Sequence, residues 1–337
     1  MKEILEKFKE KKIAVIGDII LDKYIYGKVD RISPEAPVPI VKVIKEKYAL
    51  GGAANVAANV STLGGKAYLL GVAGNDHFKT IFINKAGEFG IDTNGVLSDP
   101  KKNMIRKTRV IGLNQQLLRI DHENTDYIET HLEDKFLQKL RDINDLSAII
   151  VSDYAKGTIT EKLIEQLKQL SRKRNILLIV DPKPKHKNWY EGSTLITPNK
   201  KETQEMSGVS IDNEDDFYKA GKYLSDKFDT NVIITAGADG MYVFEKSLMD
   251  KAKGIRENGS FSDSNHNLQF THIPTVAKEV YDVSGAGDTV VASLALALSC
   301  NANLTDAAAL ANHAAGIKVG KVGTAPVHLE EFLQSCE

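Results

Sequence analysis

Residues 147–181 read SAIIVSDYAKGTITEKLIEQLKQLSRKRNILLIVD. Residues 147–151 are apolar and β-branched and predict a buried strand. Residues 160–174 predict a helix, and ILLIVD at 176–181 a second apolar strand. The same alternation runs outward in both directions. Strands are expected at 12–17 (KIAVIG), 67–73, 193–197 and 231–235 (NVIIT), and helices near 78–89, 129–142, 202–207 and 214–228. A small-residue helix, AANVAANVSTLG, follows Gly51-Gly52 and ends at Gly64-Gly65. Strands alternating with helices of this length indicate βαβ units, hence an α/β fold whose mainly parallel central sheet is covered on both faces.

Two regions break the rhythm. APVPIVKVI at 36–44 predicts an edge or lid strand, because Pro37 and Pro39 cannot donate to a central ladder. Residues 104–111 and 116–120 predict two short strands of alternating charge joined by a turn at 112–114. Together, about 22–44 and 104–120 are expected to form a small β-lid standing off the main sheet. Residues 246–268 are polar, non-periodic and rich in Gly, Ser and Asn, which predicts a surface loop. With no repeat and no linker, 1–337 is expected to be a single domain.

Lys and Arg number 44 against 45 Asp and Glu, a net charge of −1. That balance argues against nucleic-acid or anionic-membrane partners, since tracking phosphates needs a basic surplus. Cys300 and Cys336 cannot build a disulfide framework or a CxxC zinc site. The charged N-terminal stretch lacks an apolar signal region, and the uncharged run 289–303 is shorter than the ~20 residues a membrane helix needs. A cytoplasmic protein is expected.

In sheets of this kind ligands bind beyond the carboxyl ends of the strands. This singles out the polar residues that follow apolar runs: Asp18, Asp153, Asp181, Asn199, Thr235 and Asp288. The sharpest motif is DVSGAGDT at 282–289, ahead of the apolar helix VVASLALALS. Small residues at a helix start leave first-turn N–H groups uncovered for an anion, and Asp288 beside them suits proton transfer. An ordinary N-cap reads equally simply. Gly51, Gly52 and Asn55 allow close backbone approach and amide bonding to a sugar hydroxyl, or merely a tight turn into a helix. Asn199 and Glu202 share one face of a first helical turn, as an amide and a carboxylate around a hydrated metal would, or as any capped helix does. The glycine turn Thr235–Gly240 suits outer phosphates or ribose, or a plain hairpin. There is no Walker-type GxxxxGK[ST] or complete GxGxxG, and the scattered histidines make no metal site.

Taken in order, GGAANVA, PNKKE, TAGADG and DVSGAGDT resemble the signatures of the PfkB (ribokinase-like) carbohydrate kinases over roughly residues 10–330. RISPEAPVPIVKV, RVIGLNQQLLRID, VSDYAKG and AAGIKVGKVGT are similar to the heptose 7-phosphate kinase branch of that family. The resemblance implies a ribokinase-like three-layer α/β/α sandwich, an ATP-dependent kinase, and a homodimer formed through the lid. It implies Asp288 as base, with the N–H groups of Gly285, Ala286, Gly287 and Asp288 holding the transferring phosphoryl group. It assigns Mg²⁺ and its waters to Asn199 and Glu202, and the nucleotide to Thr235, Gly237, Gly240 and Asn312. Sugar hydroxyls go to Asp18, Gly51, Gly52, Asn55 and Asp153, the distal phosphate to Lys156 and Arg109, and a monovalent cation, K⁺, to Asp282, Ser284 and Gly323. Pro184 stands where that branch suggests Gly, the 246–268 loop is longer, and nothing resembles a fused nucleotidyltransferase, so phosphorylation alone is expected. Another sugar kinase of the family, or a non-catalytic sugar- or nucleotide-binding protein of the same fold, are the rival readings.

Overall fold

The computed structural model describes residues 2–113, 115–246, 268–277, 279–321, 323 and 325–335. Among them the strands, in chain order, are β1 (Lys12–Gly17), β2 (Ile19–Ile32), β3 (Pro39–Gly52), β4 (Lys66–Gly74), β5 (Asp92–Asp99), β6 (Arg106–Gly112), β7 (Gln115–His122), β8 (Leu146–Ser152), β9 (Leu177–Asp181), β10 (Leu195–Ile196), β11 (Asn231–Thr235), β12 (Met241–Lys246) and β13 (Leu268–Ile273). The main sheet has the order β13-β12-β11-β10-β9-β8-β1-β4-β5. It is parallel from β5 to β11, and β12 and β13 add an antiparallel edge.

Alternation along each strand sorts side chains between two separate cores. Ile13, Val15, Ile150 and Ile233 face one layer, with Val56, Val291, Leu294 and Leu310 of the helices Ala53–Thr62, Ala286–Ser299 and Leu304–Val319. Ala14, Ile16, Ile149 and Ile234 face the other, with Phe136, Leu163, Leu167, Phe217 and Leu224 of the helices Thr130–Asp142, Glu161–Arg174 and Glu214–Phe228. Strands buried on both faces need apolar residues at every position, which is why they read as continuous runs. The expected three layers are present.

The lid is a separate four-stranded sheet in the order β3-β2-β6-β7. Its edge position for β3 fits the two prolines, but the strand runs from Pro39 to Gly52 rather than over 36–44. β5 and β13 were not legible as strands, and β2 was legible only as part of the 22–44 lid, not as a strand with bounds. β2 is a long ribbon whose outer half is exposed and charged, so no buried face imposes a pattern there. The 246–268 loop lies outside the described residues, except that Lys246 ends β12 and Leu268 begins β13. The tip of the lid turn, Asn114, lies outside them too.

Candidate active site

Two motifs far apart in sequence meet at the carboxyl ends of the strands. Gly285 is the N-cap of helix Ala286–Ser299 and lies in the left-handed region at φ 79°. A Cβ there would stand 2.7 Å from Nδ2 of Asn55, so a side chain is excluded by conformation and by space. That close approach lets Asn55 donate to Oδ2 of Asp288 at 2.6 Å. The hydroxyl of Thr289 donates to Oδ1 of Asn59 at 2.9 Å, and the Asn59 amide donates to the Asn55 carbonyl at 2.8 Å, which locks the two helices together.

Of the four N–H groups expected to form the anion cradle, one is spent: Ala286 donates to the Val283 carbonyl at 3.1 Å. Among the described residues, Gly285, Gly287 and Asp288 have no backbone acceptor outside the helix, and first-turn donors have none within it. Gly287 is bare on the side where a Cβ would project. Asp288 itself is only 6% exposed. Burial raises its pKa, and the donations from Asn55 and from the Tyr154 hydroxyl (3.0 Å to Oδ1) pull it back.

Tyr154 was not foreseen, and its placement explains Asp18. The fully buried Asp18 carboxylate accepts three backbone N–H groups, from Tyr154, Lys156 and Thr158, each at 2.9 Å. These hold a loop in which Ala155 takes φ 55° and Gly157 φ 91°. A left-handed Ala costs roughly 1–2 kcal/mol, which this grip offsets. The expectation that Asp18 meets the sugar is therefore corrected: its oxygens are occupied in aiming Tyr154 at Asp288. Asp153 is corrected likewise, since it accepts from Ala155 N–H at 2.7 Å and from the Tyr190 hydroxyl at 2.7 Å, and bonds Nδ1 of His186 at 2.6 Å.

A carboxylate not singled out from the sequence, Asp22 on β2, stands beside Arg109. It is nearly buried, pairs with Arg109 Nη1 at 2.5 Å, and would lie 2.8 Å from a Cβ on Gly51. Its signal was its place directly after the apolar Ile19-Ile20-Leu21. Gly52 (φ 57°) makes the turn into helix Ala53–Thr62 and, with its Cβ position 2.2 Å from the Asp18 carbonyl, admits no side chain. A cavity of about 690 Å³ opens between lid and body, lined by Asn55, Arg109, Lys47, Tyr24, Asp282 and Gly323 among others. Lys156 pairs with Glu123 at 2.7 Å.

Asn199 and Glu202 form a reciprocal capping box on helix Lys200–Ser207, Glu202 N–H donating to Asn199 Oδ1 at 2.9 Å and Asn199 N–H to Glu202 Oε2 at 3.0 Å. The other Glu202 oxygen bonds Lys183. Beside them burial, then the charges of Glu202 and Asp288, drive the Asp181 pKa well above the carboxylate range. Lys183 offsets only one of the carboxylates gathered there, and the hard oxygens of Asp181, Asn199 and Glu202 fit a hydrated Mg²⁺. Among the described residues no three acidic, His or Cys side chains converge to ligate a metal unaided, so water and phosphate oxygens would complete its shell.

Thr235 ends β11 and Gly237 (φ 61°) opens the next turn with nothing near its Cβ position, whereas Gly240 packs against the Ile273 carbonyl. Asn312 donates one amide N–H to the Pro274 carbonyl at 2.7 Å, which anchors the chain leaving β13. The Asp282 carboxylate accepts N–H bonds from Ser284 at 2.8 Å and Gly323 at 2.9 Å. The Gly323 carbonyl accepts from the ammonium of Lys318 at 2.6 Å. A positive charge already stands there, so the three residues do not fit a further monovalent metal ion, against expectation.

A family model described as pfkB family carbohydrate kinase matches residues 10–331. The chain is 42% identical over 323 residues to the bifunctional protein HldE of Geobacter metallireducens, covering 95% of this chain and 62% of that protein. It is 39% identical over 328 residues to the bifunctional protein HldE of Aliarcobacter butzleri, covering 97% and 64%. The chain thus spans less than two thirds of the length of these relatives. The solved structure of Arabidopsis thaliana ribokinase complexed with ribose and ATP shares the fold, with a TM-score of 0.72 at 16% identity over 97% of this chain and 98% of that one.

Proposed function

The chain is a member of the pfkB family of carbohydrate kinases, and from that premise we propose that it transfers the γ-phosphoryl group of ATP to the anomeric O1 of D-glycero-β-D-manno-heptose 7-phosphate. The product, the 1,7-bisphosphate, would serve ADP-heptose and lipopolysaccharide core synthesis. The observation that carries the reading is the buried Asp288 carboxylate at the mouth of a bare N–H cradle, held there by Asn55.

Asp288 takes the proton of O1 while that oxygen attacks the γ-phosphorus and the bond to ADP breaks. A positioned base contributes about 10²–10⁴-fold, most effectively when its pKa lies nearer the working pH, the direction in which burial moves Asp288. The N–H groups of Gly285, Gly287 and Asp288 hold the phosphoryl oxygens in line, since positioning and charge neutralisation are most of what this chemistry asks of a protein. Asn199, Glu202 and Asp181 would hold the water shell of Mg²⁺, which when bound neutralises charge on the outer phosphates. Thr235 and Gly237 line the nucleotide.

Asp22, Gly51 and Gly52 border the sugar, and Arg109 with Lys47 meets the 7-phosphate. Closure of the lid excludes water and so suppresses idle hydrolysis of ATP. The lid also bears Ile32, Val43, Ile44, Leu113 and Leu118, all more than half exposed. An apolar face of that kind supports a homodimer through the lid. Residues 1–337 act as one kinase domain in the cytoplasm, where ATP is at hand; among the described residues no helix is long and apolar enough to cross a membrane.

A panel of sugars and sugar phosphates assayed for ADP release tests the specificity. Heptose 7-phosphate should give the highest kcat/KM, and a preference for ribose or fructose 6-phosphate would overturn the assignment.

A further inference from the structure

Lys318, near the end of helix Leu304–Val319, is fully buried, and none of the chemistry above uses it. A buried ammonium persists only where other charges and acceptors compensate it. Here the compensation converges from three sides. The Gly323 carbonyl accepts from Nζ at 2.6 Å. The Asp282 carboxylate, fixed by the Ser284 and Gly323 N–H groups, and the Asp288 carboxylate both favour the charged form against the burial that opposes it. The Lys321 charge opposes it, but that ammonium is itself held by the Pro326 carbonyl and by Glu331. The Lys318 Cε would be 3.6 Å from a Cβ on Gly285, which puts the positive end of the side chain beside the first residue of the N–H cradle.

We propose that Lys318 is the resident cation of the phosphate cradle, its ammonium, bonded to the Gly323 carbonyl and beside Gly285, taking the place that a bound monovalent metal ion would otherwise fill. The inference rests on the phosphoryl-transfer reading for its purpose, but the cation site can be tested without turnover. The fixed charge holds the 282–288 turn against its own carboxylates and adds to the field that attracts phosphate. A kinase built this way needs no K⁺.

The direct test is the thallium(I) NMR resonance, Tl⁺ standing in for K⁺, titrated with full-length protein. Wild type should leave its line width unchanged, whereas Lys318→Ala, with the ammonium gone and Asp282 unneutralised, should broaden it saturably and be competed by K⁺. Lys318→Met keeps the apolar stem and serves if the alanine variant fails to fold. In parallel, the affinity for a non-hydrolysable ATP analogue, measured calorimetrically with Mg²⁺ in KCl and in tetramethylammonium chloride, should agree within about twofold for wild type and differ by roughly tenfold for the variants. Saturable Tl⁺ broadening by the wild-type protein, or a K⁺ requirement for its nucleotide binding, would overturn the proposal. So would variants that bind neither Tl⁺ nor K⁺. Absence of ADP release in every salt, with these binding results as expected, would instead strike the kinase reading.

Discussion

Replacing Tyr154 by Phe removes one hydroxyl from the pair of donors on Asp288 and leaves the ring in place. The carboxylate then keeps the Asn55 donation at 2.6 Å but loses the Tyr154 donation at 3.0 Å. Hydrogen bonds to charged groups contribute about 1.5–3 kcal/mol. At 3.0 Å this one is longer than the usual O–H to carboxylate distance, so the lower end applies. Divided by about 1.4 kcal/mol per pKa unit, that is an upward shift of roughly one unit. The sign follows from the roles. The hydroxyl favours ionised Asp288, so without it the proton is held more tightly, and the ionised base is lost at a higher pH as the medium is acidified. The acid limb of kcat against pH, recorded as ADP release at saturating ATP and sugar phosphate, should therefore move about one unit toward neutrality. Within the limb kcat falls roughly tenfold, while the plateau above it changes little. A limb that stays in place, or moves toward acid, would refute the electrostatic coupling of Tyr154 to the base. A uniform loss at all pH values would reduce Tyr154 to a spacer.

Asp288→Asn should retain nucleotide binding by calorimetry while kcat drops by about 10²–10⁴-fold, and near-normal turnover would remove Asp288 as base. Gly285→Ala forces a side chain into the left-handed region and onto the Asn55 amide, so kcat should fall while the melting temperature drops only a few degrees, a strain of about 1–2 kcal/mol. Asp18→Asn puts an amide where three backbone N–H groups point, and should destabilise the fold by about 1–3 kcal/mol in urea titration with a parallel loss of kcat. Arg109→Met leaves Asp22 without its partner and should raise KM for a phosphorylated sugar more than for its unphosphorylated analogue; equal effects would remove Arg109 from the distal phosphate.

Much of this architecture was legible because its strands are buried on both faces. KIAVIG, SAIIV and NVIIT have no room for polar residues, so the sequence announces them, and the polar residue that follows each marks the ligand edge of the sheet. The turn into helix Ala286–Ser299 was legible for a related reason: Gly285 is demanded by its left-handed backbone and by the Asn55 amide where its Cβ would stand. Partner choice was not legible. Asp18 and Asp153 sit at strand ends just as binding residues do, and nothing in the sequence shows that backbone N–H groups, Tyr190 and His186 consume their oxygens. The extent of the lid ribbon β2 escaped because its exposed half has no core to set a period. Lys318 was invisible since a lysine in a helix of alanines reads as a solvated side chain until Gly323 and Asp282 are seen folded over it.

The most direct test of phosphoryl transfer at this cradle is the ³¹P NMR spectrum of ATP and D-glycero-β-D-manno-heptose 7-phosphate incubated with the protein. A new glycosyl phosphate resonance coupled to the anomeric proton, growing in step with ADP and absent with Asp288→Asn, is the predicted result. Accumulation of ADP and inorganic phosphate with the sugar unchanged, or the same product at the same rate from the Asn variant, would contradict it.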